Sequence, residues 1–168
     1  MRARTRSSVT AMIVIGVLMM GAIAQAAPTQ GRPFQERLEA SFVGIDMPAP
    51  ERCSEPALLL HYAGEGTMSH LGRVTFQSSH CSYLDEDWVD VTGEYGEAEM
   101  VIVAANGDQL WATYEGQQIG DTTTYIEMMT ITDGTGRFEG ASGLVREIVT
   151  VDSATFNVSI RGDGSISY

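Results

Sequence analysis

The chain has 168 residues, with 10 arginines, no lysine and 22 acidic side chains, for a formal net charge of −12. A surface this negative repels phosphate backbones and anionic headgroups, which argues against nucleic-acid and membrane-surface roles. The length suits one domain around one core.

The first segment reads as an address rather than as part of the fold. Arg2, Arg4 and Arg6 precede an apolar run from Ala11 to Ile23, and Ala24-Gln25-Ala26 is a small-x-small cleavage site. That is the pattern of a signal peptide over residues 1–26. The run is shorter than the roughly 20 residues a membrane-spanning helix needs, and no cysteine follows it for lipidation. The expectation is a secreted or periplasmic protein without membrane attachment after cleavage. Loss of the three arginines leaves 7 against 22 acidic residues, a net charge of −15.

Residues 27–37 carry Pro28, Gly31 and Pro33 and read as a flexible leader, so the folded domain is expected over 38–168. Leu38–Ile45 is a first strand, ended by Pro48-Ala49-Pro50. Ala57–Thr67 is a second, where Gly64 and Gly66 suggest a bulge or bend. A short link to Leu71–Ser79 makes a hairpin. Asp85 to Asp90 is acidic around Trp88 and reads as a loop or short edge element. In Glu94–Ala104, Ala98, Met100, Ile102 and Ala104 share one face, opposite Glu97 and Glu99. Val101 and Val103 add apolar surface to that second face.

Asn106-Gly107 is a strong hairpin signal before Gln109–Gly116. Thr122–Thr132 is β-branched and free of Gly and Pro. Gly143–Val151 and Thr155–Arg161 follow, with Gly162-Asp163-Gly164 as a turn before a short last strand at Ser165–Tyr168. Arg161-Gly162-Asp163 is more simply part of that turn than an adhesion motif. The total is about eight strands with short links, hence antiparallel neighbours. Such a set manages its edges by closing into a barrel or by folding into a sandwich.

Cys53 and Cys81 are isolated and lack CxxC spacing, so in an oxidising compartment they read as one structural disulfide. Closing a loop of roughly 29 residues stabilises the fold by about 3–4 kcal/mol in the chain-entropy model.

The stretch from Asp133 to Gly143, DGTGRFEGASG, places Phe138 as a single aromatic anchor among Gly134, Gly136 and Gly143. It resembles the G-x-G-x-F-x-x-A-x-G signature shared by the allene oxide cyclase and dirigent families. Gly66-Thr67-x-x-His70-Leu71-Gly72-Arg73 is similar to an element of secreted bacterial proteins with an allene-oxide-cyclase-like barrel. Ala104-Ala105-Asn106-Gly107-Asp108-Gln109-Leu110, followed by Gly116, is similar to a hairpin of the same group. The resemblance implies an all-β fold, an eight-stranded antiparallel barrel, and it permits a trimer. It departs at Asp133, where many relatives carry glycine.

No nucleophile, dinucleotide or metal motif survives inspection. Gly140-Ala141-Ser142-Gly143 lacks the spacing of a nucleophile elbow. The glycines sit outside any βαβ unit. His61, His70 and His80 have no compact ligand spacing, and Asp85, Asp87 and Asp90 lack the glycine and final glutamate of a calcium loop. No metal and no cofactor are expected.

An eight-stranded barrel is filled by side chains or holds one small ligand. Candidate ligand-binding residues are Met100, Ile102, Tyr114 and Met128, with Ile126 and Phe156 as further lining. His70 and Arg73 have a functional reading at a barrel mouth, proton transfer and anion holding, and a structural one, a capped turn and a salt bridge. The expected function is uptake of a small apolar or amphipathic ligand without catalysis. The alternative is a cofactor-free isomerase or cyclase, which the resemblance implies because allene oxide cyclases steer ring closure of a reactive epoxide inside a barrel pocket. A buried carboxylate inside the barrel discriminates the two, with Glu94 and Glu127 as candidates.

Overall fold

The computed structural model describes residues 31–47, 49–54, 56–85 and 91–168, without the side chains of residues 91 and 92. Eight strands run through them: β1 (Arg32–Asp46), β2 (Ala57–Met68), β3 (Gly72–Leu84), β4 (Val91–Ala104), β5 (Gln109–Gln118), β6 (Thr124–Gly134), β7 (Ser142–Val151) and β8 (Asn157–Ser167). Each pairs antiparallel with its neighbours in sequence, and β1 pairs with β8, so the sheet is a closed barrel. The expected architecture is the observed one.

Period-2 alternation drives closure. On β1, Phe34, Glu36, Leu38 and Ala40 point inward and are buried, while their neighbours are exposed. The interior at mid-height is aliphatic, with Leu38, Ile102, Met129, Ile131 and Val145 almost wholly buried.

Three expectations need correction. The first strand begins at Arg32, not Leu38, so residues 32–37 of the expected leader are strand. The reason is β8, which runs unbroken through Gly162-Asp163-Gly164 and offers its second half as the edge against which Arg32–Arg37 pair. Gly162 is no turn residue; a Cβ there would overlap the Glu36 carboxyl and press on Val145 at 2.8 Å. Likewise β2 passes through Gly64 and Gly66 in unbroken register with β3. The acidic stretch around Trp88 lies outside the described residues from 86 to 90.

The irregularities fall elsewhere. On β4, pairing with β5 slips between Tyr95 and Met100, and Glu97 takes φ 46°. One extra residue is thereby accommodated as a bulge. On β1 a second shift falls between Phe42 and Gly44.

One end of the barrel is closed. A 3-10 turn at Gly136–Phe138 drives Phe138 into the interior, where it is fully buried with its ring 4.8 Å from that of Tyr168. Asp133 Oδ1 accepts hydrogen bonds from the Gly134 N–H (2.8 Å) and the Gly140 N–H (2.9 Å), stapling the loop at both ends. These two bonds hold its carboxyl below the usual range. The departure from glycine at this position thus supplies a clasp. Gly136, at φ 59°, lies against the Asp108 carboxylate, where a Cβ would collide.

The opposite end is bordered by the β5–β6 and β7–β8 links. Residues 49–54 fold against the outside of β2 and β3, where Cys53, Ala57, Leu59 and Cys81 form a small second core. Cys53 and Cys81 are joined as a disulfide. Arg52 donates to the Glu97 carbonyl and to Ser79 Oγ, while the Ser54 N–H and hydroxyl both donate to the Glu97 carboxylate at 2.6 Å. The segment is therefore tied to the bulge. Replacing both cysteines by alanine should lower unfolding free energy by about 3–4 kcal/mol in urea denaturation. An unchanged midpoint would mean the polar ties suffice.

Candidate ligand-binding site

A cavity of about 410 Å³ opens at the unplugged end. Its wall is built from inward positions of all eight strands, and aromatic rings dominate one side. Phe42 and Tyr62 meet edge to face at 5.9 Å, Tyr62 and His80 stack at 5.4 Å, and His80 and Tyr95 stack at 4.3 Å. Tyr95 then tilts against Tyr125 at 5.6 Å, and Tyr114 meets both His80 and Tyr95 edge to face. Ala40, Val149, Val151, Val158 and Ile160 make the aliphatic side, and Phe156 stands at the rim.

Each ring is placed by its strand. Tyr62, His80, Tyr114 and Tyr125 fall on the inward phase of β2, β3, β5 and β6. Tyr95 faces inward because the Glu97 bulge resets the phase of β4; from Ala98 to Ala104 the even positions point in, whereas before the bulge the odd one does. Strict alternation would have put Glu94 inside. It is exposed instead, and Gln117 donates to its carboxylate.

Ser78 and Ser82 also line the cavity, and its paired polar groups lie at the floor. The Tyr95 hydroxyl donates to Glu127 Oε2 at 2.7 Å, and His80 Nδ1 shares a hydrogen bond of 3.1 Å with the Tyr114 hydroxyl. Burial pushes His80 down to about 4, with the Arg52 charge adding to the effect, so the ring is neutral at physiological pH. Burial and the Glu127 charge push the Tyr95 phenol far upward, so it remains a donor.

Below Glu127 lie two more carboxyls, Glu147 on β7 and Glu36 on β1. Glu147 is fully buried, and Glu127 and Glu36 are 4% and 3% exposed. Burial raises the pKa of all three, and for Glu147 the two flanking carboxyls add to it. The oxygens of Glu36 and Glu147 meet no donor on any other described group. The donor they need is a proton held within the trio, and Glu147, between the other two, is the neutral acid.

Of the residues expected from sequence, Met100 and Tyr114 line this cavity. Ile102 lies one inward step deeper, in the sealed core. Met128 and Ile126 sit on the outward phase of β6, alternating with Glu127 and Met129. The mouth placement of His70 and Arg73 is corrected: both sit at the plugged end. His70 turns with φ 69°, and its Nε2 lies 2.9 Å from the Pro33 carbonyl. Its own carbonyl accepts from Arg137. Arg73 is exposed on the outer surface.

The sequence reading missed Tyr62, His80, Tyr95 and Tyr125. Period-2 spacing within β2, β3 and β6 was the available signal for three of them; the β4 bulge hid the fourth. The three histidines do not converge: His61 pairs with Asp46 at 3.1 Å on the outside, His70 is at the plugged end and His80 is inside. Among the described residues, the one grouping with metal-ligand spacing is Cys53, Cys81 and Glu97, whose sulfurs are already bonded to each other.

The barrel and its end-on cavity define a dirigent-like fold. The solved structures it is similar to include the pterocarpan synthase dirigent protein PsPTS1, at a TM-score of 0.56 and 16% identity over 83% of this chain and 96% of that one. A second is the pterocarpan synthase dirigent protein GePTS1, at a TM-score of 0.51 and 18% identity over 84% and 96%. No family model and no curated protein matches the sequence. The likeness is one of fold. The buried disulfide is compatible with an extracellular or periplasmic location.

Proposed function

We propose that the protein is an exported binding barrel that takes up a small apolar or amphipathic molecule, without catalysis, through the open end. The observation that carries this reading is the cavity of about 410 Å³, walled mainly by aromatic and aliphatic side chains over a polar floor. Pockets for small molecules share that composition, apolar walls with a few placed polar groups. A signal-like N-terminus and a disulfide support export, and the motif resemblance supports a bacterial source.

Uptake is measured with a hydrophobic fluorophore and by thermal shift in lipid extract. Val151→Trp, at the cavity wall, should weaken fluorophore binding by about tenfold or more by filling the space, with the circular dichroism spectrum unchanged. No uptake and no thermal shift in the parent protein would refute the proposal.

A second reading, a cofactor-free isomerase or cyclase, is favoured by the buried Tyr95–Glu127 pair at the floor of the pocket. Restraint of a reactive substrate beside an acid needs no cofactor. Enantiomeric excess in the ring-closed product of a reactive epoxide would support it, and its loss in Glu127→Gln would place the acid. A racemic product would remove it. Oligomeric state, with a trimer as the form the resemblance permits, is read by light scattering after gel filtration.

A further inference from the structure

We propose that the ligand of this cavity is an organic cation, a quaternary ammonium or protonated amine on an apolar body, seated among the tyrosine rings with its charge above Glu127. The proposal rests on the binding reading above and names its ligand class.

Three independent features of the cavity select positive charge. The first is the wall: Tyr62, Tyr95, Tyr114 and Tyr125 surround the space with ring faces and edges, the arrangement that attracts alkylammonium groups through the ring quadrupole. The second is the floor. Glu127 lines the cavity, and its carboxylate receives one donor, the Tyr95 hydroxyl. Behind it, the Glu147 and Glu36 oxygens are buried without a donor from outside the trio. Among the described residues no cation contacts these carboxyls, so any ionisation of the trio places negative charge in an apolar interior without a partner. The third is the absence of cationic lining: among the described residues no arginine lines the cavity, and the one histidine that does is neutral. The net charge of −12 adds a long-range field of the same sign.

A fatty-acid carboxylate would meet Glu127 with no cation to pair it. A neutral alcohol would gain the apolar wall and at most a hydrogen bond to Glu127. A cation gains the wall and the carboxylate charge, and it relieves the constraint that keeps the trio protonated. Its arrival favours the ionised form of Glu127 and its neighbours, so protons leave as the cation enters. The charge balance is a substitution of one positive charge for another.

The groups that face Glu127 are known from each side. They are Tyr95 from β4, Tyr114 from β5, Tyr125 on its own strand, Glu147 from β7 and Glu36 from β1. Tyr62 from β2 and His80 from β3 complete the ring, while β8 contributes Val158, Ile160 and Gly162. Burial raises the phenols of Tyr62, Tyr95 and Tyr114 above the usual tyrosine value. Of the groups that face the cavity, the carboxyl trio is therefore the source of any proton released when a cation binds.

The test is isothermal titration calorimetry of the full protein with decyltrimethylammonium, decanol and decanoate, in two buffers of different ionisation enthalpy. We expect the cation to bind at least ~10-fold more tightly than decanol at pH 8. Decanoate should bind most weakly, and roughly one proton should be released per cation bound. Cation affinity should fall between pH 8 and pH 5, while decanol affinity stays level. Glu127→Gln should erase the preference for the cation and keep the affinity for decanol. Equal binding of all three probes without proton release overturns the cation proposal and leaves the binding reading standing. No binding of any probe defeats both. A cation preference that survives in Glu127→Gln and in Glu147→Gln also overturns it, and proton release in the parent protein is read without any variant.

Discussion

Phe138→Ala should lower the unfolding free energy by about 3–5 kcal/mol, the range for deleting a fully buried aromatic ring. Phe138 has no exposed surface, and its ring packs against Tyr168 and the side chains that close the lower end. The site cannot collapse onto the gap. Its loop is clasped at both ends by Asp133, and the 3-10 turn fixes where the side chain enters. Urea denaturation followed by circular dichroism measures the effect, and Phe138→Leu should recover a substantial part of it. A loss below about 1 kcal/mol would show that the plug is not what seals the barrel.

The carboxyl trio predicts an unusual dependence of stability on pH. Glu147→Gln should stabilise the protein at pH 8 by about 1–4 kcal/mol, because a buried acid that must be held protonated against solvent at that pH gives way to a permanently neutral side chain of similar shape. The sign follows from the direction of the shifts. Glu147, Glu127 and Glu36 all have folded pKa values raised above the carboxylate value of 4.5. The folded state therefore binds more protons than the unfolded state above that pH, and stability falls as pH rises through the raised values. Below about pH 4.5 all three are neutral in both states and the gain from Glu147→Gln should disappear. His80 works in the opposite sense. Its pKa falls from 6.5 to about 4, so its contribution is present above pH 6.5 and is lost as pH drops toward 4, by about 3 kcal/mol in all. That contribution is the same in both proteins and cancels in the difference. Denaturation midpoints at pH 4.5, 6.5 and 8 are the measurement; a gain from Glu147→Gln equal at all three would overturn the assignment.

The strands were legible because most of them obey period 2 between Gly, Pro, Asn and Asp punctuation. The Phe138 loop was legible because a lone aromatic among close-set glycines has few other uses. What escaped were features set by pairing between distant segments. Arg32 to Arg37 look like a leader until β8 supplies the edge they need, and Gly162-Asp163-Gly164 looks like a turn until the Glu36 carboxyl is seen to need the space at Gly162. The site was read in half. Met100 and Tyr114 emerged from alternation, but Ile102 lies a step too deep and Met128 is in the wrong phase on β6. His70 and Arg73 carried the motif resemblance, and that resemblance marks the plugged end rather than the mouth. Glu127 was nominated as an interior carboxylate. Its two companions were not, because Glu36 fell in the supposed leader and Glu147 in a strand with no outward sign of its phase.

The bulge at Glu97 makes the chemistry of the pocket hostage to chain length rather than to side-chain identity. Gain of one residue between Tyr95 and Ala98, with the bulge kept, would rotate the upstream half of β4 by a half-turn, bringing Glu94 to the interior and sending Tyr95 to solvent, whereas loss of Glu97 would remove the bulge and leave Tyr95 inside. The Glu127 oxygen would exchange a phenolic donor for a fourth acid. A one-residue insertion in this strand is thus a sharper route to altered ligand preference than any point substitution along the wall.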